Sequence, residues 1–441
     1  EEGKRLKELV VDYSKPHFST IQTHEIDPKL NDDQNHAIQT ALSAQDYMLL
    51  LGMPGTGKTT AIISLIKALV ERQMRVLIAS YTHTAVDNIC LKLKDEGVEF
   101  IRISHGQRVD PKIQNYSVDS ILESCSDANE IKAVLSRYQV FASTCLGCNH
   151  SILLNEANNC LFDYCIIDEA SQINVPTVLG PLALSKRFIL VGDHYQLPPI
   201  TRYGIGKGEE QMASLFRLLS ETNPEALVTL RTQYRMNDDI LKLCNILIYG
   251  MRMRMGSPSV ASARLHLSSI DSFQEVDDFH KNWLRIAIQA NPSVVFYNTD
   301  PASMNEAKGK GSKLNYGESF VASIIVVALM MCGLSPSKIG VISPYRAQVT
   351  LTNRMIKTQI AAVNSFMTNG NNNIPFFSNL DDINDLLEVH TVDKFQGRDK
   401  DVIIFSAVKS DWYTYIRLAT VECFYYTCQE KVHSYWIKKH T

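Results

Sequence analysis

The sequence predicts an α/β protein with two mostly parallel sheets, and three observations carry that prediction. Short apolar runs rich in β-branched residues recur along the 441 residues, as strands buried on both faces of a parallel sheet do. Helical stretches such as 58–73 and 318–333 lie between these runs, which is the alternation that right-handed β–α–β crossovers produce. The runs also fall into two separated blocks, so two sheets are expected.

Five apolar runs in the first block and three in the second are predicted as strands, each followed by a loop with Gly, hydroxyl or acidic residues. They span residues 46–52, 75–80, 138–144, 162–168 and 187–193, then 292–298, 338–343 and 401–408. We expect residues 1–24 to be the end of an upstream module or a linker. Residues 25–225 are predicted as the first domain and residues 226–441 as the second, which is atypical after about 409.

The composition is that of an ordinary globular protein, with 45% hydrophobic and 21% charged residues. The formal net charge of −3 excludes a polycation, so any nucleic acid would bind in a local groove rather than through overall charge. The most apolar run, residues 320–334, is shorter than the roughly 20 residues that a bilayer span needs. We therefore expect a buried helix there and no membrane contact.

A phosphate-binding loop is the strongest local signal. "GMPGTGKT" at 52–59 matches G-x-x-x-x-G-K-[ST] between a predicted strand and a predicted helix. Its glycines let several N–H groups face phosphates, and the helix N-terminus adds its positive end. ATP and Mg²⁺ are therefore predicted ligands. Their expected contacts are Gly52, Met53, Pro54, Gly55, Thr56, Gly57, Lys58, Thr59 and Thr60, with Lys58 on the β- and γ-phosphates and Thr59 on Mg²⁺.

Two later strand ends supply the rest of a hydrolytic site. In "FDYCIIDEAS", Asp168 is placed to hold Mg²⁺, and Glu169 to orient and deprotonate the attacking water. In "VGDHYQLPP", Gln196 is placed to hydrogen-bond the γ-phosphate or its water. Each string alone is also compatible with an ordinary strand-end loop, but both follow a phosphate loop.

Together these motifs resemble those of superfamily 1 helicases of the 5′-to-3′ branch. The matching strings are "LNDDQNHAI" (30–38), "SYTHTAVDN" (80–88), "FASTCLG" (141–147), "GDHYQLPP" (192–199), "LRTQYRMN" (230–237) and "HTVDKFQGRD" (390–399). Within the branch they look most like the helicase part of the eukaryotic DNA replication helicase/nucleases. The resemblance implies two RecA-like domains, ATP at their interface and single-stranded DNA across their tops.

The resemblance also implies roles for individual residues. Gln34 would read adenine through its amide, and Arg235 would act as an arginine finger from the second domain. Gly397 and Asp399 would lie beside the ribose and phosphates, although many relatives carry Glu at the Asp399 position. Strand contacts are expected from loops at strand ends, where hydroxyls and N–H groups suit phosphate oxygens and Tyr345 suits base stacking. These residues are Thr82, His83, Thr84, Ser143, Thr144, Tyr345, Arg346 and Thr391.

The predicted function is that of an ATP-dependent 5′-to-3′ DNA helicase or translocase segment of a replication and repair nuclease–helicase. It would act in the nucleus, or alternatively in mitochondria, with single-strand-binding protein and replication factors as partners. One alternative is an RNA helicase of the nonsense-mediated-decay type. Another is a module that binds nucleotide and DNA without hydrolysis, because "IRLATVECFYYT" (416–427) does not match the last helicase motif.

Neither a metal cluster nor a nuclease centre is expected. "CLGCNH" (145–150) has a C-x-x-C, but no second ligand pair follows at zinc-finger spacing. Zinc and an iron–sulfur cluster are therefore not predicted. Asp127, Glu130 and Lys132 would suit a nuclease chemically, but they lie in a charged, helix-like stretch typical of a solvated face.

Overall fold

The computed structural model divides the chain into two compact units, Glu1–Thr232 and Gln233–Thr441. Its described residues are 2–20, 27–104, 109–123, 125–159, 161–199, 213–268, 281–288, 292–299, 306–309, 312–369, 386–395, 400–408 and 433–438.

The first unit contains a seven-stranded sheet in the order β3-β4-β2-β5-β6-β1-β7, in which every neighbouring pair is parallel. The strands are β1 (Tyr47–Gly52), β2 (Val76–Ser80), β3 (Phe100–Arg102), β4 (Val140–Thr144), β5 (Phe162–Ile167), β6 (Ser185–Gly192) and β7 (Leu227–Leu230). The five strands predicted for the first block are all present. β3 and β7 were not predicted, because a three-residue strand and a four-residue strand give too short a pattern.

Helices cover this sheet and complete its core. They are α1 (Glu2–Val10), α2 (Asp32–Ser43), α3 (Lys58–Glu71), α4 (His83–Asp95), α5 (Val118–Leu122), α6 (Ala128–Leu135), α7 (Ser151–Asn159), α8 (Val175–Leu182) and α9 (Leu215–Thr222). β1 and β2 are buried along their whole length, as expected for strands covered on both faces. The apolar face of α3 packs into the same core, so burial fixes the helix that follows the phosphate loop.

The segment before α2 is attached to the amino end of β1 through Asp46. Arg5 donates to Asp46 through Nε and Nη2, and the backbone N–H of His17 donates to Asp46 Oδ2 at 2.8 Å. A bridge between Phe18 and Ala44 extends the contact. These bonds hold residues 2–20 against the first unit.

The second unit contains a five-stranded sheet in the order β10-β16-β15-β13-β14, again with parallel neighbours throughout. The strands from the unit boundary onward are β8 (Thr232–Gln233), β9 (Arg254–Met255), β10 (Val294–Asn298), β11 (Ala307–Gly309), β12 (Ser312–Leu314), β13 (Ile339–Ser343), β14 (Glu388–Thr391), β15 (Val402–Ser406) and β16 (His433–Lys438). β8 pairs with β9, and β11 with β12. All three strands predicted for this block are confirmed.

The helices of this unit include the most apolar run of the chain. They are α10 (Asp238–Cys244), α11 (Pro258–Ala261), α12 (Lys281–Ile288), α13 (Tyr316–Met331), α14 (Arg346–Asn369) and α15 (Val392–Phe395). α13 contains most of the apolar run 320–334 and is largely buried in the core, which confirms the predicted buried helix. No helix among the described residues has the length and apolarity to cross a membrane.

Candidate active site

The phosphate loop has the strand–turn–helix context that was predicted. It leaves β1 at Gly52 and enters α3 at Lys58. Gly57 has a left-handed φ of 77°, and a Cβ at this position would overlap the Gln34 amide. A Cβ at Gly52 would overlap the Lys58 side chain. Glycine is therefore required at both ends of the loop by backbone conformation or by space.

Gln34, on α2, is hydrogen-bonded to this loop. Its Nε2 donates to the Thr56 carbonyl at 3.1 Å, and its Oε1 accepts from the Asn31 N–H at 3.1 Å in a capping box. The Thr56 hydroxyl in turn donates to the Met53 carbonyl at 2.7 Å. The Gln34 amide therefore has a structural role that the sequence did not reveal, and its contact with adenine stays a prediction.

The remaining loop residues lead into the N-terminus of α3. Gly55 has a φ of 72°, and Pro54 is buried beside it. Thr59 is half-buried and Thr60 is exposed in the first turn of α3. The Thr59 hydroxyl thus stands next to Lys58 at the start of the helix, as the motif requires.

The acidic pair follows β5. The Asp168 N–H donates to the Ala79 carbonyl at 2.9 Å, and the Ser80 hydroxyl donates to the Asp168 carbonyl at 3.1 Å. Asp168 is only 8% exposed. Burial, followed by the charge of Glu169, raises the pKa of Asp168 to about 7, although Lys58 acts in the opposite direction.

Glu169 turns away from the strand in a left-handed conformation with a φ of 54°. Its backbone N–H donates to Asp168 Oδ1 at 3.0 Å, and its Oε2 accepts from Gln172 Nε2 at 3.0 Å. Its other carboxylate oxygen lies 3.9 Å from Lys58 Nζ. The structure therefore brings together Lys58, Asp168 and Glu169, which come from two separate motifs.

Gln196 is held beside this pair by two residues that sequence reasoning did not single out. Its Nε2 donates to Asp193 Oδ2 at 2.6 Å, and the Asp193 N–H donates to the Ser171 hydroxyl at 3.1 Å. A Cβ at Gly192 would lie 2.8 Å from the Ser171 nitrogen. The loop after β6 is thus joined closely to the turn after β5.

These groups fit a nucleoside triphosphate with magnesium. β5, β6 and β1 are neighbours in the sheet, so the loops at their carboxyl ends share one edge, where ligands of open α/β sheets bind. The phosphate loop has no room for a Cβ at Gly52 or at Gly57, and Lys58 supplies a cation for phosphate. Asp168 is buried beside a second carboxylate, and a divalent cation would stabilise its ionised form.

The predicted strand contacts of the first unit lie at the ends of two adjacent strands. Thr82 and Thr84 are exposed after β2, and Thr82 caps α4 by accepting from the Ala85 N–H at 3.2 Å. Thr144 is paired with Ser80 across β4 and β2. Its Oγ1 accepts from the Gly147 N–H at 3.1 Å, whereas Ser143 is fully buried.

His83 belongs to a buried network that was not predicted. Arg102, which ends β3, has 0% exposure and donates through Nε to Asp87 Oδ1 at 2.7 Å. Its Nη2 lies 3.1 Å from His83 Nδ1. The available signal was an arginine inside the apolar run "EFIRI", since a charged residue there is buried only with partners.

The second unit repeats this arrangement with Tyr345, Arg346 and Thr391. β13 and β14 are paired, with Ser343 opposite Thr391. Arg346 is exposed at the start of α14, Tyr345 is half-buried before it, and Thr391 is buried. Here too the predicted contacts cluster at the carboxyl ends of neighbouring strands.

Arg235 lies in the turn before α10. The N–H groups of Arg235 and Met236 donate to Gln233 Oε1 at 2.8 and 2.7 Å, so Gln233 shapes this turn from within. Arg235 is half-buried, and its role as an arginine finger stays a prediction. Gly397 and Asp399 lie outside the described residues, as do residues 409–432 of the divergent tail.

The residues considered for other metal chemistry have ordinary surroundings. Cys145 and Cys148 are buried free thiols, and burial raises the pKa of Cys145 to about 12. Asp127 caps α6 by accepting from the N–H groups of Asn129 and Glu130. The predicted solvated face is confirmed by the exposure of Asp127 and Glu130.

Comparison with known proteins finds similarity to DNA replication helicase/nucleases. Two family models described as AAA domain match residues 29–132 with 126–202, and residues 212–422. The DNA replication ATP-dependent helicase/nuclease JHS1 of Arabidopsis thaliana is 39% identical over 93% of this chain and 28% of its own length. The corresponding proteins of Schizosaccharomyces pombe and Homo sapiens are 37% and 36% identical, over 92% and 93% of this chain. The matches cover 27% and 38% of those two relatives, so the chain spans well under half of each.

Proposed function

The chain belongs to the superfamily 1 helicases, and on that premise we propose that it is the ATP-dependent 5′-to-3′ DNA helicase segment of a replication and repair nuclease–helicase. The observation that carries the proposal is the junction of Lys58, Asp168 and Glu169. These residues come from two strand ends, yet Lys58 Nζ and Glu169 Oε1 are only 3.9 Å apart. A phosphate-binding cation next to an acidic pair, of which Asp168 is buried, is the minimum that ATP hydrolysis requires.

Each side chain of this site has its own proposed role in hydrolysis. Lys58 would bind the β- and γ-phosphates, while Thr59 and Asp168 would hold Mg²⁺, whose charge stabilises the negative charge developing on the phosphates. Glu169 is more exposed than Asp168, with a 26% exposed side chain. Glu169 can therefore contact a water molecule and accept its proton. Asp168 would have to become exposed to do the same.

Gln196 would report the state of the γ-phosphate to the rest of the first unit. Asp193 holds its amide, and Asp193 is itself held by Ser171 next to the acidic pair. A movement of the amide toward phosphate would therefore pull on both loops. This short path is the physical basis that we propose for coupling hydrolysis to conformation.

Single-stranded DNA is the proposed polymer. The exposed hydroxyls of Thr82 and Thr84 suit phosphate oxygens, and the half-buried ring of Tyr345 suits stacking on a base. The relatives are named for DNA replication, which favours DNA over RNA. A nuclear site of action, with single-strand-binding protein and replication factors as partners, belongs to the same proposal.

A nucleotide-binding module without turnover is the second candidate, and the sequence of the tail favours it. Residues 416–427 do not match the last helicase motif. If that motif supplied a γ-phosphate arginine, its loss would lower turnover about 10³-fold or more. Single-turnover release of phosphate separates the two candidates, since only the helicase releases phosphate from bound ATP.

Unwinding of a partial duplex tests the proposal. A duplex with a 5′ single-stranded overhang should be opened in the presence of ATP and Mg²⁺, and one with a 3′ overhang should not. Lys58→Ala is the control, because it removes the phosphate contact. Equal unwinding of both duplexes would refute the direction, and stronger inhibition by competing RNA than by matched DNA would refute the choice of DNA.

A further inference from the structure

The last two residues of the first unit are held by a single carboxylate oxygen. Asp33 Oδ2 accepts from the Arg231 N–H at 2.9 Å, from the Thr232 N–H at 3.1 Å and from the Thr232 hydroxyl at 3.1 Å. Successive backbone N–H groups that converge on one anion form a favourable binding site for it, and a charged acceptor strengthens each bond. Asp33 therefore anchors the chain at the point where the first unit ends.

The residue next to Asp33 contacts the phosphate loop. Gln34 Nε2 donates to the Thr56 carbonyl at 3.1 Å, and a Cβ at Gly57 would lie 2.5 Å from the same nitrogen. Asp33 and Gln34 both lie in the first turn of α2. Two consecutive residues of one helical turn therefore contact the phosphate loop and the end of the first unit.

This first turn of α2 is held together by its own hydrogen bonds. Asn31 Oδ1 accepts from the Gln34 N–H at 2.9 Å, and Gln34 Oε1 accepts from the Asn31 N–H at 3.1 Å. The buried Asn35 amide donates to three carbonyls of the preceding segment. A displacement of the Thr56 carbonyl would therefore move the turn as one piece, and Asp33 would move with it.

The sheet brings the same two regions together a second time. β7 pairs with β1, and Leu230 lies opposite Gly52. Gly52 begins the phosphate loop, and Leu230 directly precedes Arg231. The chain that leaves the first unit thus starts from a strand end in register with the start of the loop. Arg235, the predicted arginine finger, follows Thr232 by three residues.

We propose that Asp33 is a positioning residue that couples the nucleotide state of the phosphate loop to the chain entering the second unit. The inference rests on the proposed function, because it assigns a route by which ATP binding acts beyond the nucleotide site. The Thr56 carbonyl and the Gly57 N–H belong to one planar peptide group. When this N–H turns toward a phosphate, the carbonyl that Gln34 contacts turns with it, and Asp33 passes the movement to Arg231 and Thr232.

A positioning role predicts that ATP turnover and mechanical work can be separated. Asp33 is hydrogen-bonded to the end of the first unit rather than to the phosphate loop. We expect Asp33→Ala to keep kcat and KM for ATP within about twofold of the wild type. The number of base pairs unwound per ATP hydrolysed should fall about tenfold, as expected for a lost coupling contact.

Hydrogen–deuterium exchange of the full chain, resolved to single residues, tests the coupling directly. Exchange is followed at the Arg231 and Thr232 amides and at the phosphate loop, with and without Mg²⁺ and a non-hydrolysable ATP analogue. In the wild type we expect the analogue to slow exchange at both places, by about fivefold at Arg231 and Thr232. In Asp33→Ala the loop should respond as before, whereas the two amides should exchange rapidly and respond by less than about twofold.

Asp32→Ala is the matched control for Asp33→Ala. Asp32 is exposed and shares the first turn of α2 with Asp33, so each substitution removes one negative charge from the same helix N-terminus. We expect Asp32→Ala to behave like the wild type. Thr232→Val and Thr232→Ser form a second pair, because only serine keeps the hydroxyl that donates to Asp33. Valine should weaken the response of the boundary amides, and serine should preserve it.

The outcomes distinguish the inference from the function on which it rests. If the phosphate loop responds in Asp33→Ala and the Arg231 and Thr232 amides respond as in the wild type, the inference is overturned and nucleotide binding stands. An equal loss of response in Asp32→Ala would also overturn it, because the helix charge would then be the cause. A wild-type loop that does not respond to the analogue would refute nucleotide binding and the inference together. If Asp33→Ala does not fold, the Thr232 pair decides.

Discussion

Asp168 and Glu169 are adjacent carboxylates with different surroundings, and this difference suits them to the separate roles that we propose for them. Asp168 is 8% exposed, and burial together with the neighbouring charge of Glu169 raises its pKa to about 7. Glu169 leaves the strand in a left-handed turn and approaches Lys58. A buried acid that gains from a cation suits metal binding, and a more exposed acid beside the phosphate cation suits proton transfer.

Replacing Glu169 with Gln should separate nucleotide binding from turnover. The amide keeps the shape but cannot accept a proton, so we expect phosphate release in a single turnover to fall about 10²- to 10⁴-fold. Binding of a fluorescent ATP analogue should persist, because Lys58 and Thr59 are unchanged. The control is Glu71→Gln, an exposed acid at the end of α3. A loss of less than threefold in the Glu169 variant would exclude it as the general base.

At the residue scale, motifs predicted the residues whose side chains would contact nucleotide or metal. They did not predict the residues whose hydrogen bonds hold other site residues in place. Lys58, Asp168 and Glu169 each follow a strand in a recognisable string, and the structure brings them together. Arg102, Asp193 and Ser171 were missed because their roles depend on contacts between distant chain segments. Arg102 and Asp87, for example, meet only because β3 and α4 pack side by side.

At the scale of elements, the carboxyl end of β15 leads into a strained backbone position. Val408 has a φ of 70°, which is unfavourable for a β-branched residue. Glu318, at the start of α13 and fully buried, accepts from the Val408 N–H at 2.9 Å and from the Ser406 hydroxyl at 2.7 Å. Gln348 on α14 also donates to Ser406 Oγ, at 2.9 Å. One carboxylate therefore fixes the strand end that leads into the divergent tail.

Removal of that carboxylate should destabilise the second unit. Glu318→Ala removes the carboxylate that accepts hydrogen bonds from Asn315, Ser406 and Val408, and we expect the free energy of unfolding to fall by about 3 kcal/mol. Chemical denaturation followed by near-ultraviolet circular dichroism measures the change. The control is Asp401→Asn just before β15, whose partner Lys338 is 56% exposed; such surface pairs contribute about 1 kcal/mol or less. Equal effects of the two substitutions would show that Glu318 does not hold the strand end.

The attachment of the N-terminal segment predicts a dependence of stability on pH. Burial alone would raise the pKa of Asp46, but hydrogen bonds from Arg5 and His17 outweigh it and the pKa is lowered from 3.8. The folded state thus gains stability above the unfolded value, and this gain is lost as the pH falls through the lower folded value. Asp46→Asn should lower the free energy of unfolding by about 2 kcal/mol at pH 7, and the two proteins should converge once the pH has fallen below the lowered pKa of Asp46 in the folded state.

Urea denaturation across this pH range provides the measurement for Asp46. Asp12→Asn is a suitable control on the same segment, since the Asp12 side chain is 51% exposed and lies 3.9 Å from Lys7. A difference between Asp46→Asn and wild type that stays constant down to acidic pH would contradict the proposed role of the carboxylate.

Long buried strands were predictable and short or partly exposed ones were not. Every strand predicted from a continuous apolar run is present, because burial on both faces leaves a pattern that needs no tertiary information. β7 and β14 alternate between buried and half-buried residues, β3 has three residues, and β16 lies in the atypical tail. Their strand character depends on pairing with β1, β13, β4 and β15, which only the fold supplies.

At the scale of the whole chain, two units each have their own parallel sheet and their own hydrophobic core. The phosphate loop and the predicted nucleotide residues after β5 and β6 lie at one sheet edge of the first unit, and predicted strand contacts occur at the carboxyl edges of both sheets. A net charge of −3 does not favour nucleic-acid binding through overall charge. Any such binding is therefore expected at these local edges. A DNA-dependent helicase therefore requires a functional link between the nucleotide site and the polymer.

The rate of ATP hydrolysis with and without single-stranded DNA tests that link most directly. We expect DNA to raise the turnover of the wild-type chain at least tenfold at low salt, and Lys58→Ala to abolish turnover under both conditions. The DNA should still bind to the Lys58→Ala variant, because its predicted contacts are unchanged. Equal rates of hydrolysis with and without DNA in the wild-type chain would contradict the central claim that this is a DNA-driven helicase segment.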